Sequence, residues 1–138
     1  MKDKLFVDTN VIIDLIGRRE PFFESAFDLF TLALEKKIEL YVSSVSYCTV
    51  NYILRKHLSH QKLMTTFNEL ERYVKILNVD DKVVKHSCNS MFTDFEDAIQ
   101  YYSITDKSIK TIITRDKKDF SKGVLSVMTA ADYLKARS

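Results

Sequence analysis

The sequence contains little of what loop-rich and disulfide-stabilised proteins need. Its 138 residues include only two glycines, one proline and two cysteines, and there is no tryptophan. So few turn-forming residues argue against an all-β architecture, in which many tight turns require them. The cysteines, Cys48 and Cys88, lie far apart and lack the spacing of a metal site. They are therefore expected to be buried thiols of a reducing compartment, and a disulfide framework is not expected.

Long apolar runs and a strong charge of one sign are also missing. No run approaches the roughly 20 apolar residues that span a membrane, and residues 1–3 (MKD) do not begin a signal peptide. The expected location is therefore the cytoplasm, with no membrane association. The net charge of +2 permits a nucleic-acid partner without requiring one. The length predicts a single domain over residues 1–138, with enough chain for a proper core.

Short apolar runs alternate with segments of helical periodicity. The runs at 5–7, 38–42, 75–79, 110–114 and 124–128 predict five strands separated by helices. Alternation of this kind favours the α/β class, here a three-layer α/β/α sandwich around a central parallel sheet of four to five strands. Two helices are predicted between the second and third strands, which makes that stretch an insertion. Polar residues predicted to cap helices are Ser43 or Ser44, Ser59, Asp80 and Thr129.

The stretch at residues 5–10 (LFVDTN) places a carboxylate at the end of a predicted buried strand. Open α/β sheets build their sites at the carboxyl ends of strands. The helix beginning near Asn10 also directs unpaired N–H groups at the same crevice. Asp8 is therefore a candidate metal ligand. The alternative is that Asp8 only caps the following helix, because Asp is a favoured cap.

Five more acids stand around the fourth predicted strand: Asp94, Glu96 and Asp97 before it, and Asp116 and Asp119 after it. If the first and fourth strands are neighbours, roughly 5 Å apart, Asp8 and Asp116 meet at one edge and the preceding helix adds Asp97. Like charges this close require a compensating cation. Oxygen ligands suit Mg²⁺ or Mn²⁺, and such ions stabilise the attacking and leaving oxygens of a phosphodiester.

Several of these acids have a purely structural alternative. Glu96 fits a capping box with Thr93, and Asp94 fits a cap or a supporting position behind the ligands. Asp119 could be a solvated member of a charged turn. Asp14 follows two apolar isoleucines and is expected to face solvent. For these positions the residues alone leave both interpretations open.

Functional and structural roles are also both possible for the basic residues and the histidines. Four basic residues beside the proposed metal edge could position RNA phosphates or form an ordinary solvated loop: Arg115, Lys117, Lys118 and Lys122. Three histidines share no ligand spacing and are expected to be surface or structural residues: His57, His60 and His86.

Three segments together resemble the PIN domain family. They are residues 8–11 (DTNV), 94–101 (DFEDAIQY) and 113–120 (ITRDKKDF), which occur in this order over nearly the whole chain. The resemblance implies a parallel sheet of strand order 3-2-1-4-5 and a nuclease dependent on Mg²⁺ or Mn²⁺, usually acting on RNA. Small single-domain members are often toxins of the VapC kind. The implied partners are therefore RNA, a small antitoxin protein and a second copy of the chain in a homodimer.

The family pattern assigns the catalytic metal ligands of this chain to three positions, Asp8, Asp97 and Asp116. Asp94, Glu96 and Asp119 are secondary candidates. The second acid of the family is usually a Glu in the helix after the second strand, and the equivalent place here is assigned to Asn51. An amide oxygen can orient a water or a ligand, but it carries no negative charge. Asn51 is therefore expected to contribute to catalysis without replacing that charge.

Three functions remain compatible with these residues. The first is a metal-dependent endoribonuclease that leaves a 5′-phosphate and a 3′-hydroxyl, as the family implies. The second is a non-catalytic module that binds RNA or a protein, which Asn51 favours. The third is another acid-rich α/β phosphotransfer domain. A haloacid-dehalogenase-like phosphatase would need a second acid where Asn10 stands, and a receiver would need paired acids where only Asp3 precedes the strand.

Overall fold

The computed structural model describes residues 2–105, 107–116 and 125–137, in which a parallel sheet carries helices on both faces. The strands are β1 (Asp3–Val7), β2 (Ile38–Ser43), β3 (Val74–Leu77), β4 (Thr111–Ile113) and β5 (Ser126–Met128). The helices are α1 (Thr9–Ile16), α2 (Phe23–Leu34), α3 (Ser44–Leu54), α4 (His60–Leu70), α5 (Asp81–Cys88), α6 (Phe95–Ile104) and α7 (Ala130–Arg137). The predicted α/β class is confirmed, including the two helices inserted between the second and third strands.

The strand order is β3-β2-β1-β4-β5, and every neighbouring pair is parallel. This is the order implied by the sequence. In the centre, Phe6 of β1 pairs with Tyr41 of β2 on one side and with Ile112 of β4 on the other. The chain extends outward from β1 to β3 and then crosses to β4, so the carboxyl ends of β1 and β4 border the switch point where such sheets bind ligands.

Alternate residues of β1 supply the cores on the two faces of the sheet. Leu5 and Val7 belong to the larger hydrophobic cluster, which also includes buried residues of α1, α2, α3, α4 and α7. Phe6 points to the smaller cluster and packs there with Ile104 and Ile112. Because β1 is buried on both faces, the residue that follows it is also withdrawn from solvent.

Two local predictions, one at a helix end and one on the cysteines, were wrong. Asp94, not Thr93, caps α6, because its short carboxylate accepts from the N–H of Asp97 at 3.0 Å. The free cysteines are exposed. Cys48, for example, lies roughly 200° around α3 from its buried residue Ser46.

Two further features of the described residues bear on the predictions. None of the described helices has the length and apolar character needed to cross a membrane. All three histidines are exposed, in agreement with the surface positions expected for them.

Ser43 is predicted to contribute to stability, because its side chain is fully buried and its Oγ accepts from the N–H of Val45 at 3.1 Å. The mutation Ser43→Ala leaves that N–H without its cap. We expect the free energy of unfolding to fall by about 1 kcal/mol, as measured by urea denaturation. Ser44→Ala, one residue along and not the cap, is the matched control and should change stability by less than about 0.5 kcal/mol. Equal losses in both variants would contradict the assignment.

Candidate active site

Asp8 follows β1 directly and is only 5% exposed. Its Oδ1 accepts from Gln100 Nε2 at 2.9 Å, and its Oδ2 accepts from Thr114 Oγ1 at 2.6 Å and from Asn10 Nδ2 at 3.1 Å. Although Asp8 occupies the N-cap position of α1, its side chain makes no capping hydrogen bond. The interpretation that Asp8 serves only as a helix cap is therefore wrong.

Strand pairing brings these partners to Asp8 from distant parts of the chain. Val7 pairs with Ile113, and the N–H of Asp8 donates to the carbonyl of Ile113 at 2.9 Å, so Thr114 lies beside the carboxylate. From α6, Gln100 is 1% exposed and its Oε1 also accepts from the N–H of Thr9 at 3.3 Å. Both ends of the Gln100 amide are thus engaged, which fixes which end donates to Asp8.

The pKa of Asp8 reflects a balance between burial and hydrogen bonding. Burial raises the pKa above its ordinary value, and the Glu96 carboxylate adds to that increase. The hydrogen bonds from Thr114 and Gln100 and the N–H of Thr9 lower it, but the net pKa remains raised. The groups around Asp8 are neutral donors and a second carboxylate, so a bound cation would favour its ionised form.

Glu96 belongs to the same network, and its expected pairing with Thr93 is wrong. Its Oε2 accepts from Thr9 Oγ1 at 2.6 Å, and its Oε1 accepts from Thr49 Oγ1 at 2.8 Å. Thr9 Oγ1 also lies 2.7 Å from Ser46 Oγ. The Glu96 carboxylate therefore connects α6 with the start of α1 and with α3, next to Asp8.

Helix α3 presents Ser46 and Thr49 to these acids. None of the hydrogen bonds within the described part of this network involves Asn51. Residues two positions apart differ by roughly 200° around a helix, so Asn51 lies on a different side of α3 from Thr49. The carboxylate that meets this surface of α3 comes from α6, as Glu96.

Of the remaining predicted acids, the structure describes Asp94, Asp97 and Asp116. Asp97 is 8% exposed, and it lies roughly 60° around α6 from Gln100, on the side away from Glu96. Asp116 is exposed, and its N–H donates to Thr114 Oγ1 at 3.1 Å. Asp94 is the cap of α6, one of the two structural roles expected for it. Four predicted residues lie outside the described residues: Lys117, Lys118, Asp119 and Lys122.

The donor chemistry of this edge fits a hard divalent cation, because its acids offer only oxygen ligands. Asp8 accepts three hydrogen bonds and Glu96 accepts two. A carboxylate has about four lone-pair positions, so both retain at least one for an ion. Within residues 2–105, 107–116 and 125–137, however, no three Asp, Glu, His or Cys side chains are grouped closely enough to hold a metal.

Arg115 pairs with a buried acid that was predicted wrongly. Its Nε donates to Asp14 Oδ2 at 2.7 Å, and its Cζ lies 4.4 Å from the ring centroid of Phe22. Asp14 is 1% exposed, so the expectation that it faces solvent is wrong. Burial raises the pKa of Asp14, whereas the Arg115 guanidinium opposes that increase. Part of the guanidinium proposed for RNA binding is therefore already occupied within the protein.

Asp8 is predicted to lower the stability of the metal-free protein at neutral pH. The pKa of Asp8 is raised in the folded state, so the protonated side chain favours folding. This contribution to stability is present below the unfolded pKa of about 4 and is lost as the pH rises through the folded pKa. In EDTA at pH 7, Asp8→Asn should therefore raise the melting temperature, and the difference should shrink toward pH 3. Asp116→Asn, at an exposed position, is the matched control. A lower melting temperature for Asp8→Asn at pH 7 would contradict this balance.

Solved structures of similar fold come from bacterial toxins. Mycobacterium tuberculosis VapC20, described as a toxin cleaving the sarcin-ricin loop, aligns with a TM-score of 0.71 at 17% identity over 86% of this chain and 95% of its own. A toxin–antitoxin complex from Klebsiella pneumoniae aligns with a TM-score of 0.67 at 24% identity over 91% of this chain and 97% of its own. These similarities show the fold.

Sequence comparison identifies the family. Ribonuclease VapC1 of Aquifex aeolicus (strain VF5) is 27% identical over 136 residues, which cover 95% of this chain and 93% of the relative. The family model described as the PIN domain matches residues 4–118. Since this match covers far more than half of the chain, the protein belongs to the PIN domain family.

Proposed function

We propose that this protein is a divalent-metal-dependent endoribonuclease and the toxin of a toxin–antitoxin pair. The observation that carries the proposal is the Asp8 carboxylate, buried at the switch point of a PIN-domain sheet and adjacent to a second carboxylate. The ribonuclease assigned to the A. aeolicus relative supports the activity. The K. pneumoniae toxin–antitoxin complex supports an antitoxin as the protein partner, and the ribonuclease name of the A. aeolicus relative supports RNA as the substrate.

Asp8, Asp97 and Asp116 are the residues that would hold Mg²⁺ or Mn²⁺, directly or through water, and Glu96 would add a fourth negative charge. When bound, such an ion supplies a nucleophilic water at neutral pH and neutralises charge that develops on the scissile phosphate. The products would be a 5′-phosphate and a 3′-hydroxyl. Asp94 remains a supporting residue, because its carboxylate is used at the N-terminus of α6.

The neutral side chains around Asp8 have a positioning role in this proposal. Gln100 and Thr114 donate to different oxygens of the carboxylate, so they hold its plane in one orientation. Thr114 also accepts from the N–H of Asp116, which places the main chain of that acid at the same edge. Preorganised donors of this kind commonly contribute 10–100-fold to metal affinity or activity.

Glu96 is proposed to supply the negative charge that α3 lacks. The hydroxyls of Thr9 and Thr49 hold its two oxygens separately, which leaves lone pairs on both for an ion or a water. Asn51, on another side of α3, is assigned at most an indirect contact through water. In this proposal Glu96 of α6 takes the role of the acid that other family members usually carry on the equivalent of α3.

The alternative function is a non-catalytic module that binds RNA or a protein. It is favoured by the absence of a three-acid group among the described residues and by hydroxyls, rather than carboxylates, on the near side of α3. In that case Mn²⁺ should bind weakly, and affinity for the partner should survive Asp8→Asn. The two functions are therefore separated by the response to metal and by the same single variant.

Cleavage of end-labelled single-stranded RNA tests the enzymatic proposal. The wild-type protein should cut the RNA with Mn²⁺ and lose this activity in EDTA. Asp8→Asn should lower the rate by more than the roughly 10–100-fold typical of residues behind the ligands. Asp28→Asn, which removes one exposed carboxylate from α2, is the control for net charge. Activity that persists in EDTA, or equal activity in the wild type and Asp8→Asn, would reject the proposal.

A second pair of variants tests the origin of the fourth charge. Glu96→Gln keeps the size of the side chain but removes its charge, and it should reduce Mn²⁺-dependent cleavage by about 10–100-fold. Asn51→Ala should leave cleavage close to the wild-type rate, because Asn51 lies outside the network. Measurement of cleavage against Mn²⁺ concentration should show a weaker metal requirement constant for Glu96→Gln only. If Asn51→Ala reduced cleavage more than Glu96→Gln, the contribution to metal binding would have to be assigned to α3.

A further inference from the structure

An ion pair with one buried partner connects α1 with the segment that follows β4. Arg115 Nε donates to Asp14 Oδ2 at 2.7 Å, and Asp14 is 1% exposed. The guanidinium carbon of Arg115 also lies 4.4 Å from the ring centroid of Phe22, the residue that precedes α2. The Arg115 side chain is therefore held by α1 and by the start of α2, although its own main chain belongs to the end of β4.

Stability is a poor explanation for a carboxylate at this position of α1. The residues before it on the helix, Val11, Ile12 and Ile13, are buried and apolar. Burying a charge costs free energy that an ion pair often fails to recover, and an apolar pair of similar volume is often at least as stable. The compensation is also incomplete, because Asp14 Oδ1 is buried without a hydrogen-bond partner among the described residues. A role in positioning Arg115 explains the buried acid better.

The segment held by Arg115 carries Asp116, one of the three proposed metal ligands. The main-chain N–H of Arg115 donates to Asn10 Oδ1 at 3.3 Å, and Asn10 Nδ2 donates to Asp8 Oδ2 at 3.1 Å. The N–H of Asp116 donates to Thr114 Oγ1 at 3.1 Å. These are neutral donors at moderate distances, whereas the side chain of Arg115 adds a shorter, charged contact with the rigid core. Its loss should therefore loosen the attachment of Asp116 to the acidic edge.

We propose that Asp14 and Arg115 are positioning residues for metal binding, because their ion pair holds the segment after β4 and so keeps Asp116 at the edge where Asp8 lies. The inference rests on the proposed function, since it takes Asp116 as a ligand of the ion. By charge alone, the guanidinium of Arg115 next to that ligand would weaken the binding of a cation. The geometric role and the charge of Arg115 therefore predict effects of opposite sign.

The double variant Asp14→Leu/Arg115→Met tests the inference without changing the net charge. Its melting temperature in EDTA should equal or exceed that of the wild type. Its Mn²⁺ dissociation constant, measured by isothermal titration calorimetry, should rise by about 10–100-fold, and the amide of Asp116 should exchange faster with solvent by NMR in EDTA. Asp81→Leu/Lys85→Met removes an exposed ion pair of α5 and is the matched control, which should leave the Mn²⁺ affinity unchanged.

Arg115→Met alone keeps the test decisive if the double variant does not fold. Loss of a positive charge by itself would tighten Mn²⁺ binding, whereas loss of the anchor should weaken it. Wild-type affinity in the double variant, or tighter binding by Arg115→Met, overturns the inference and leaves the nuclease proposal intact. If the wild type binds no Mn²⁺, the proposed function fails, and amide exchange still decides whether the ion pair holds this segment. Faster exchange at Asp116 then supports that role, and unchanged exchange overturns it.

Discussion

The site depends on the hydrogen-bonded pairing of β1 with β4. This pairing places Thr114 against Asp8 although 106 residues separate them along the chain. Helix α6 then completes the contact through Gln100, which bonds to Asp8 and to the main chain of Thr9 at once. The acidic edge therefore exists only in the folded sheet, because each partner of Asp8 is supplied by a different element.

Two buried acids of the same region are stabilised in opposite ways. Asp14 receives a guanidinium, which compensates its charge within the protein. Asp8 receives only neutral donors and has Glu96 as a charged neighbour, so its pKa is raised by both burial and repulsion. A cation already present in the fold compensates the charge of Asp14, whereas the charge of Asp8 has no such compensation among the described residues. That difference is the physical reason why metal binding is proposed for Asp8 and not for Asp14.

The sequence was sufficient for the fold and for the position of Asp8 at the end of a buried strand, because strand periodicity and a carboxylate after an apolar run are local signals. Glu96 was harder to assign, because its position three residues after Thr93 fits a capping box and also fits an acid of the site. Only the contact of Glu96 with Thr49 of α3 in the folded chain favours the site. Asn51 was assigned from the family pattern, and neither that pattern nor helical periodicity reports which side of α3 faces α6. Asp14 was misassigned because its partner, Arg115, lies 101 residues away, a separation that local periodicity cannot report.

Arg115 connects the buried carboxylate of Asp14 with the acidic edge around Asp8. A free arginine beside acidic ligands would attract phosphate nonspecifically, but here its Nε is committed to Asp14 and its plane lies on Phe22. The capacity that remains is that of the outer N–H groups. The expected contribution of Arg115 to electrostatic attraction of an RNA backbone is therefore smaller than its charge alone suggests. Since its main chain also bonds to Asn10 and the Asn10 amide bonds to Asp8, the Asp14–Arg115 pair has a fixed position relative to the acidic edge.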